Sequence, residues 1–251
     1  MIKTIISGCN GRMGQTLTKI INERDDMKVT AGFARKAVSS VDFPVFSSPG
    51  DCNVESDVVI DFSNHTIIPS LLNYCVKNNT PIVTGTTALD EKCQSALNEA
   101  AETIPVFQSA NMSLGINALM KVIKEITPVL EDEFSVEIIE MHHKTKVDSP
   151  SGTALLLADT VSEASKSKRE YIYGRHSKHD EFNMDAIGIH AVRGGTVPGT
   201  HLVLFSGPDE MIELKHQIIT RDVFAYGALA AAQFIIKQKP GRYTMSDLLD
   251  R

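Results

Sequence analysis

Residues 140–154 read Glu140-Met141-His142-His143-Lys144-Thr145-Lys146-Val147-Asp148-Ser149-Pro150-Ser151-Gly152-Thr153-Ala154 and gather two histidines, two lysines and a helix start into fifteen residues. An imidazole of ordinary pKa both gives and takes a proton near neutrality. Lysine ammonium groups draw carboxylate or phosphate. A helix start adds unpaired N–H groups and a partial positive charge, which draw anions too. Pro150 suits a first helical turn and Ser149 the cap ahead of it. Gly152 allows a ligand to approach the backbone, and Thr153 supplies a hydroxyl. Together these residues suit an acidic small molecule that must be protonated.

The elements around this run are those that would present it. Phe134 to Glu140 reads as a strand, rich in β-branched residues with partial alternation. Ala154 to Val161 reads as a helix of strong formers. The polar run therefore sits at a strand end, just ahead of a helix N-terminus.

A second constellation opens the chain. Ile2 to Ser7 reads as a short buried strand, followed by Gly8-Cys9-Asn10-Gly11-Arg12-Met13-Gly14. A helix comes next, with Met13, Leu17, Ile20 and Ile21 on one face. Strand, glycine turn and helix in this order match a dinucleotide-binding unit, in which glycines let the backbone approach a pyrophosphate at the helix start. The spacing is Gly-x-x-Gly-x-x-Gly, with Asn10 where the middle glycine of the usual pattern falls. The second strand, Lys28 to Ala34, ends without the acid that would bind a ribose 2′-hydroxyl. Arg35 and Lys36 follow it and suit a 2′-phosphate, with Arg12 able to help. NADPH is the expected cofactor, with NADH possible.

Residues 37–56 read as irregular. Strands at Asp57 to Phe62, Pro81 to Thr84 and Pro105 to Gln108 alternate with helices at Ile67 to Val76, Asp90 to Glu102 and Leu114 to Leu130. The loops Gly85-Thr86-Thr87 and Ser109-Ala110-Asn111-Met112-Ser113 join the glycine turn at the carboxyl ends of parallel strands, where ligands sit in this architecture. Beyond the helix at 154–165, Lys166 to Phe182 reads as loop. Strands at Ala186 to Val192, Thr200 to Phe205 and Met211 to Ile218 then read as antiparallel, and a helix spans Val223 to Ile236. The sheet faces carrying Ile187, Ile189, Leu202 and Leu204 have opposite faces too apolar for solvent, so this sheet is expected to pack against copies of itself. The fold expected is α/β: a Rossmann-type domain followed by a mainly sheet domain.

With 251 residues, 42% of them hydrophobic, the chain can build one large domain or two small ones. Its net charge of -6 lacks the basic footprint of a nucleic-acid binder. No stretch approaches a membrane span, and the N-terminus does not read as a signal peptide. Cys9, Cys52, Cys75 and Cys93 form no CxxC pair, so no metal site or disulfide frame is expected and a cytoplasmic location is. Two other readings remain open on residues alone. One is a semialdehyde-type dehydrogenase, which needs a cysteine nucleophile. The other is a non-catalytic nucleotide sensor.

The run His142-His143-x-x-Lys146 with Ser151-Gly152-Thr153 closely resembles the 4-hydroxy-tetrahydrodipicolinate reductase family, which serves the diaminopimelate route to lysine. The resemblance extends to Gly8–Gly14, Gly85–Thr87, Ser109–Ser113 and the tail Tyr243–Leu249, and covers nearly the whole chain. It implies a Rossmann domain of residues 1–112 and 222–251 and a mixed-sheet domain of residues 113–221 for substrate and oligomerisation, assembled as a homotetramer. It implies that the cofactor lies along Gly8, Cys9, Asn10, Gly11, Arg12 and Met13, then Arg35, Gly85, Thr86, Thr87, Ser109, Ala110, Asn111 and Met112. His142 would be the proton donor and Lys146 the catalytic lysine, while His143, Gly152 and Thr153 would hold substrate carboxylates. The implied substrate is a cyclic imine with two carboxylates. Loss of its hydroxyl as water leaves a conjugated ring that takes hydride at C4 and a proton at the neighbouring carbon. Members often carry an acid where Ala34 stands, so the resemblance does not extend dual cofactor use to this chain.

Overall fold

Strands buried on both faces need apolar residues at successive positions, and four segments of the first half supply them as adjacent pairs: Ile5-Ile6, Val59-Ile60, Ile82-Val83 and Val106-Phe107. In the computed structural model, which describes residues 1–36, 41–176 and 181–250, each pair sends one side chain to either face of a parallel sheet. The chain divides into two units, Met1–Leu114 with Asp222–Arg251, and Gly115–Arg221.

The first unit contains β1 (Ile2–Ser7), α1 (Arg12–Asn22), β2 (Met27–Phe33), β3 (Val45–Phe46), β4 (Val58–Asp61), α2 (Ile68–Lys77), β5 (Ile82–Thr84), α3 (Glu91–Ala101) and β6 (Pro105–Gln108). Between its two segments run α4 (Leu114–Leu130), β7 (Ser135–His142), α5 (Gly152–Ala164), β8 (Glu170–Tyr173), β9 (Ala186–Arg193), β10 (Thr200–Gly207) and β11 (Glu210–Gln217). The chain closes with α6 (Asp222–Ile235), β12 (Gly241–Tyr243) and α7 (Met245–Leu249), all belonging to the first unit.

The seven-stranded sheet of the first unit runs β12-β6-β5-β4-β1-β2-β3, and every pairing is parallel. The order reverses between β1 and β4, the switch point at which such sheets open a ligand crevice beyond their carboxyl ends. Ile6, Ile60, Val83 and Phe107 pack with Leu17, Ile20 and Ile21 of α1 and with Ala225, Ala228, Leu229 and Ala232 of α6. Ile5, Val59, Ile82 and Val106 pack on the other face with α2 and α3. Residues 41–56, read as irregular, contribute β3 beside β2 and a single helical turn at Pro49–Asp51; positions 37–40 of that stretch lie outside the described residues.

The second unit is a five-stranded sheet in the order β11-β10-β7-β9-β8. It corrects the antiparallel reading: β10 is antiparallel to β7 and β11, but β9 runs parallel to β7 and β8 parallel to β9. Strand direction is set by the α5 crossover, which local alternation does not reveal. β8 itself lies in the stretch read as loop, positions 177–180 of which are outside the described residues. Tyr171 holds β8 to α5 by donating its hydroxyl to Asp159 at 2.6 Å.

Ala154, Leu157, Ala158 and Val161 of α5 and Ile123 of α4 cover Val136, Ile138, Ile187, Ile189, Val203 and Phe205 on one face. The register pairs Val203 with Ile138 and Leu202 with Ile139, which separates the four apolar positions grouped in the sequence. Ile187 and Ile189 face the helices, whereas Leu202 and Leu204 lie on the opposite face with Met141 and Val192. The helix start moves as well. Ser151, not Ser149, caps α5, its Oγ accepting from the Ala154 N–H at 3.2 Å, and Pro150 stays outside the helix on a cis bond.

α6 is rich in small residues because it passes against backbone. A Cβ built on Gly227 would overlap the carbonyl oxygen of Met112. Gly227→Ala is therefore expected to cost at least about 1–3 kcal/mol, as overpacking against an unyielding group does. Urea denaturation is the check, with Gly194→Ala, whose Cβ meets open space, as the control.

Candidate active site

At the carboxyl edge of the parallel sheet, β1 enters the glycine turn. Gly8 has φ +81°, and a Cβ there would lie 2.5 Å from the Phe62 carbonyl oxygen. A Cβ on Gly14 would overlap the Gly8 carbonyl oxygen, so α1 starts pressed against the turn. Gly11 occupies its N-cap position, the first helical turn carries no acid, and Gly11 and Arg12 are exposed. An open, acid-free helix start behind closely approached backbone fits a pyrophosphate. Asn10 donates its side-chain amide to the Lys36 carbonyl at 2.7 Å, which ties the Arg35–Lys36 bend to the same turn. Cys9 is buried, its thiol turned toward the Phe33 carbonyl at 3.6 Å, and burial pushes its pKa up. A buried, protonated thiol is packing material, not a nucleophile.

The neighbouring loops are organised by a residue that sequence reading passed over. Asp61, at the end of β4, is wholly buried and accepts from three hydroxyls: Ser63 at 2.5 Å, Thr84 at 2.9 Å and Thr86 at 2.7 Å. Thr86 also accepts the Ser63 N–H at 3.0 Å. One carboxylate thus joins the loop after β4 to Gly85-Thr86-Thr87 after β5. After β6, Ser109 donates to the Asn111 carbonyl at 2.8 Å, Asn111 accepts the Ser113 N–H at 2.9 Å, and Met112 is buried over Gly227. Ala110 is exposed at the tip of that loop. The turn 8–13, Arg35, 85–87 and 109–112 accordingly all lie at the carboxyl edge of one sheet.

In the second unit, strand alternation puts Glu140 and His142 on the same face of β7. Glu140 is wholly buried, and its Oε2 lies 2.5 Å from His142 Nδ1. Arg193, paired with His142 across β7 and β9, grips both carboxylate oxygens of Glu140 at 2.7 and 2.8 Å, and the Ser151 N–H donates to Oε1 at 3.0 Å. Burial opposes the Glu140 charge, but Arg193, His142 and the Ser151 N–H together outweigh it and hold the carboxyl below its usual range. For His142 the balance goes the other way. Burial lowers its pKa, Glu140 raises it, and Lys146 and Arg193 side with burial, so that it ends below its usual value. With Nδ1 engaged, Nε2 is the nitrogen left for chemistry. A Cβ on Gly199 would stand 3.0 Å from it, so the absence of a side chain there keeps Nε2 uncrowded.

Lys146, expected as the catalytic lysine, and Gly152, expected to hold a substrate carboxylate, both point at one resident carboxylate. Asp148 accepts Lys146 Nζ at 2.7 and 2.9 Å and, weakly, the Gly152 N–H at 3.4 Å. His143 has Nδ1 2.8 Å from the Thr145 hydroxyl and Nε2 3.0 Å from an Arg221 guanidinium nitrogen. Thr153 follows Gly152 in the first turn of α5. Arg193, His201, Asp148 and Arg221 were all missed as site residues. The only local signal was a charged residue closing an apolar strand before Gly194-Gly195, because Arg193 gains its meaning from a long-range register. Among the described residues, no group of three or more His, Cys, Asp or Glu side chains is placed to hold a metal.

Family models of dihydrodipicolinate reductase match both parts of the chain, the N-terminus at residues 2–112 and the C-terminus at residues 115–249. The chain belongs to the dihydrodipicolinate reductase family. The 4-hydroxy-tetrahydrodipicolinate reductase of Caldanaerobacter subterraneus subsp. tengcongensis is 49% identical over 251 residues, covering 100% of this chain and 99% of its own length. That of Clostridium tetani is 44% identical over 250 residues, covering 100% and 98%. A dipicolinate-bound dihydrodipicolinate reductase from Paenisporosarcina sp. TG-14 has the same fold, with a TM-score of 0.83 at 24% identity and 97% of each chain covered. Membership in the dihydrodipicolinate reductase family makes this chain a pyridine-nucleotide-dependent oxidoreductase of lysine biosynthesis, with a Rossmann-like nucleotide-binding fold.

His201 completes the buried cluster of this reductase. Its ring meets His142 edge-on at 5.1 Å, and its Nε2 lies 3.1 Å from Ser151 Oγ. Burial, aided by His142, pushes its pKa from 6.5 down to about 4. Between those values the unfolded chain takes up a proton that the folded one refuses, so stability falls as pH drops from about 6.5 toward 4. For this one group the loss is about 3 kcal/mol. Urea denaturation from pH 7.5 to 4.5 is expected to give a shallower acid loss in His201→Gln than in the wild type.

Proposed function

We propose that this chain reduces 4-hydroxy-tetrahydrodipicolinate to tetrahydrodipicolinate with loss of water, using NADPH in preference to NADH, with His142 as the proton donor. The observation that carries the reading is the fixed aim of His142: a buried imidazole, held at Nδ1 by Glu140 and left with Nε2 for the substrate, in a chain that matches the family along its whole length. The unit of residues 1–112 and 222–251 is the nucleotide-binding part, and residues 113–221 bind the dicarboxylate.

When bound, the reduced nicotinamide supplies hydride to ring C4. Protonated His142 delivers its Nε2 proton to the neighbouring carbon, acting as general acid. Lys146 turns from Asp148 to a substrate carboxylate and offsets its charge. His143, the Gly152 N–H and Thr153 orient the dicarboxylate at the start of α5. In the first unit, Gly8 to Met13, Gly85 to Thr87 and Ser109 to Met112 cradle the dinucleotide. The preference for NADPH rests on two features. No acid closes β2, and Arg35 and Lys36 are tied beside the glycine turn by Asn10.

The same reading assigns a homotetramer formed through the outer face of the second sheet. Met141, Val192 and Met211 are exposed there, and Leu202 and Leu204 are half-buried. The protein works in the cytoplasm, which accords with four free cysteines.

Turnover is to be followed with substrate generated by condensing pyruvate with aspartate semialdehyde, monitoring NADPH and NADH oxidation separately. His142→Gln is expected to lower kcat by about 10²-fold or more, the scale of a lost general acid; unchanged turnover removes the assignment. Lys146→Ala should damage kcat and KM together, and a wild-type kcat/KM would take the lysine out of the mechanism. Sedimentation velocity at micromolar concentration should give a tetramer, and a monomer would overturn the assembly.

A further inference from the structure

We propose that Glu140 and Arg193 are an opposed pair of positioning residues that together set how tightly His142 holds its proton, Glu140 fixing and attracting the imidazolium and Arg193 opposing that attraction. The proposal rests on the reading of His142 as proton donor.

The geometry leaves Glu140 no freedom. An ionised carboxylate has about four acceptor positions, and all are taken: two by Arg193, one by the Ser151 N–H and one by His142 Nδ1. The carboxylate cannot rotate away, so the Nδ1 proton stays on the side facing it. A neutral His142 then presents a bare Nε2, and a protonated one presents Nε2–H. This is the orientation half of the arrangement.

The electrostatic half follows from burial. A lone carboxylate 2.5 Å from a buried imidazole would stabilise the imidazolium strongly and make it a reluctant acid. Arg193 opposes that pull by gripping Glu140 through a bidentate pair, the strongest geometry an arginine offers a carboxylate. It is further held by the Asp148 carbonyl at 2.7 Å. The other charged or titratable groups around His142 do not replace Glu140. From β10, His201 is buried and neutral near pH 7, and His216 on β11 is paired in register with His201. From the loop after β7, the Lys146 charge is matched by Asp148, and His143 is turned to Thr145 and Arg221. Among these groups Glu140 favours the charged ring, while Lys146 and Arg193 act against it, and Arg193 is the one bonded directly to Glu140.

The two residues therefore have opposite signatures. A general acid must be protonated, so kcat falls as pH rises through the His142 pKa. Glu140→Gln leaves Arg193 uncompensated, and the fall is expected at lower pH by about one unit or more. Arg193→Met leaves the carboxylate uncompensated, and the fall is expected at higher pH. Arg193→Lys keeps the charge but loses the bidentate grip and should move the same way by less. It also serves if the methionine variant does not fold, as Glu140→Asp serves for glutamine.

Histidine-selective NMR titration of the resting protein reads the same quantity without turnover, and the 15N shifts report which nitrogen carries the proton in the neutral ring. Opposite displacements of the His142 titration, with the neutral proton on Nδ1 in the wild type, support the proposal. Displacements in the same direction, none at all, or a neutral proton on Nε2 overturn it. If the NMR titrations move oppositely but the kcat profiles do not follow, the positioning pair stands and the assignment of His142 as proton donor falls.

Discussion

A carboxylate with no exposure to water must be met at every lone pair or it does not stay charged. Glu140 satisfies that demand by recruiting three separate pieces of chain: Arg193 from β9, Ser151 from the start of α5, and His142 from its own strand. The ion pair spans the β7–β9 pairing, while the Ser151 N–H docks the N-terminus of the crossover helix onto the same strand end. The fold of the second unit and the aim of its imidazole thus depend on one buried group. Removing either partner leaves a stranded charge, which is costlier than never having built the pair.

The first unit meets a related demand by different means. Asp61 is equally buried, yet it is surrounded by hydroxyls in place of a cation. Hydroxyl donors satisfy the lone pairs without bringing a buried positive charge to that edge. The positive influence at that edge comes instead from the start of α1 and from Arg12, Arg35 and Lys36. Each unit therefore contains a buried acid, one paired with arginine beside the His142 ring, the other bonded to hydroxyls at the carboxyl edge of the parallel sheet.

Much of this was legible from residues alone where local pattern decides. The alternation of apolar strands with amphipathic helices gave the parallel sheet, because strands covered on both faces must be apolar throughout. The run from Glu140 to Ala154 was visible as chemistry because histidines, lysines and a helix start seldom crowd together without use. Long-range register was not legible. Nothing near Arg193 says that it will stand beside His142, and nothing in Ala186–Arg193 says that the strand runs parallel to β7. Glu170-Tyr171-Ile172-Tyr173 hid among charges because it is short and its ties, the parallel pairing with β9 and the Tyr171 contact with Asp159, are to other elements. Ser149 and Ser151 flank the same proline, and the choice between them as cap was made by a backbone that first had to reach Glu140.

The first unit is written in two instalments, with α6 and β12 arriving only after the whole second unit has been encoded. On a ribosome, the nascent sheet must wait with Ile60, Val83 and Phe107 lacking the α6 part of their helical cover, since Ala225, Ala228 and Leu229 are still unsynthesised. A gene fragment cut at the boundary between the two family models would suffer the same exposure permanently. The reductase is thus expected to complete its parallel-sheet unit late, and to be most vulnerable to aggregation and proteases during translation of residues 115–221.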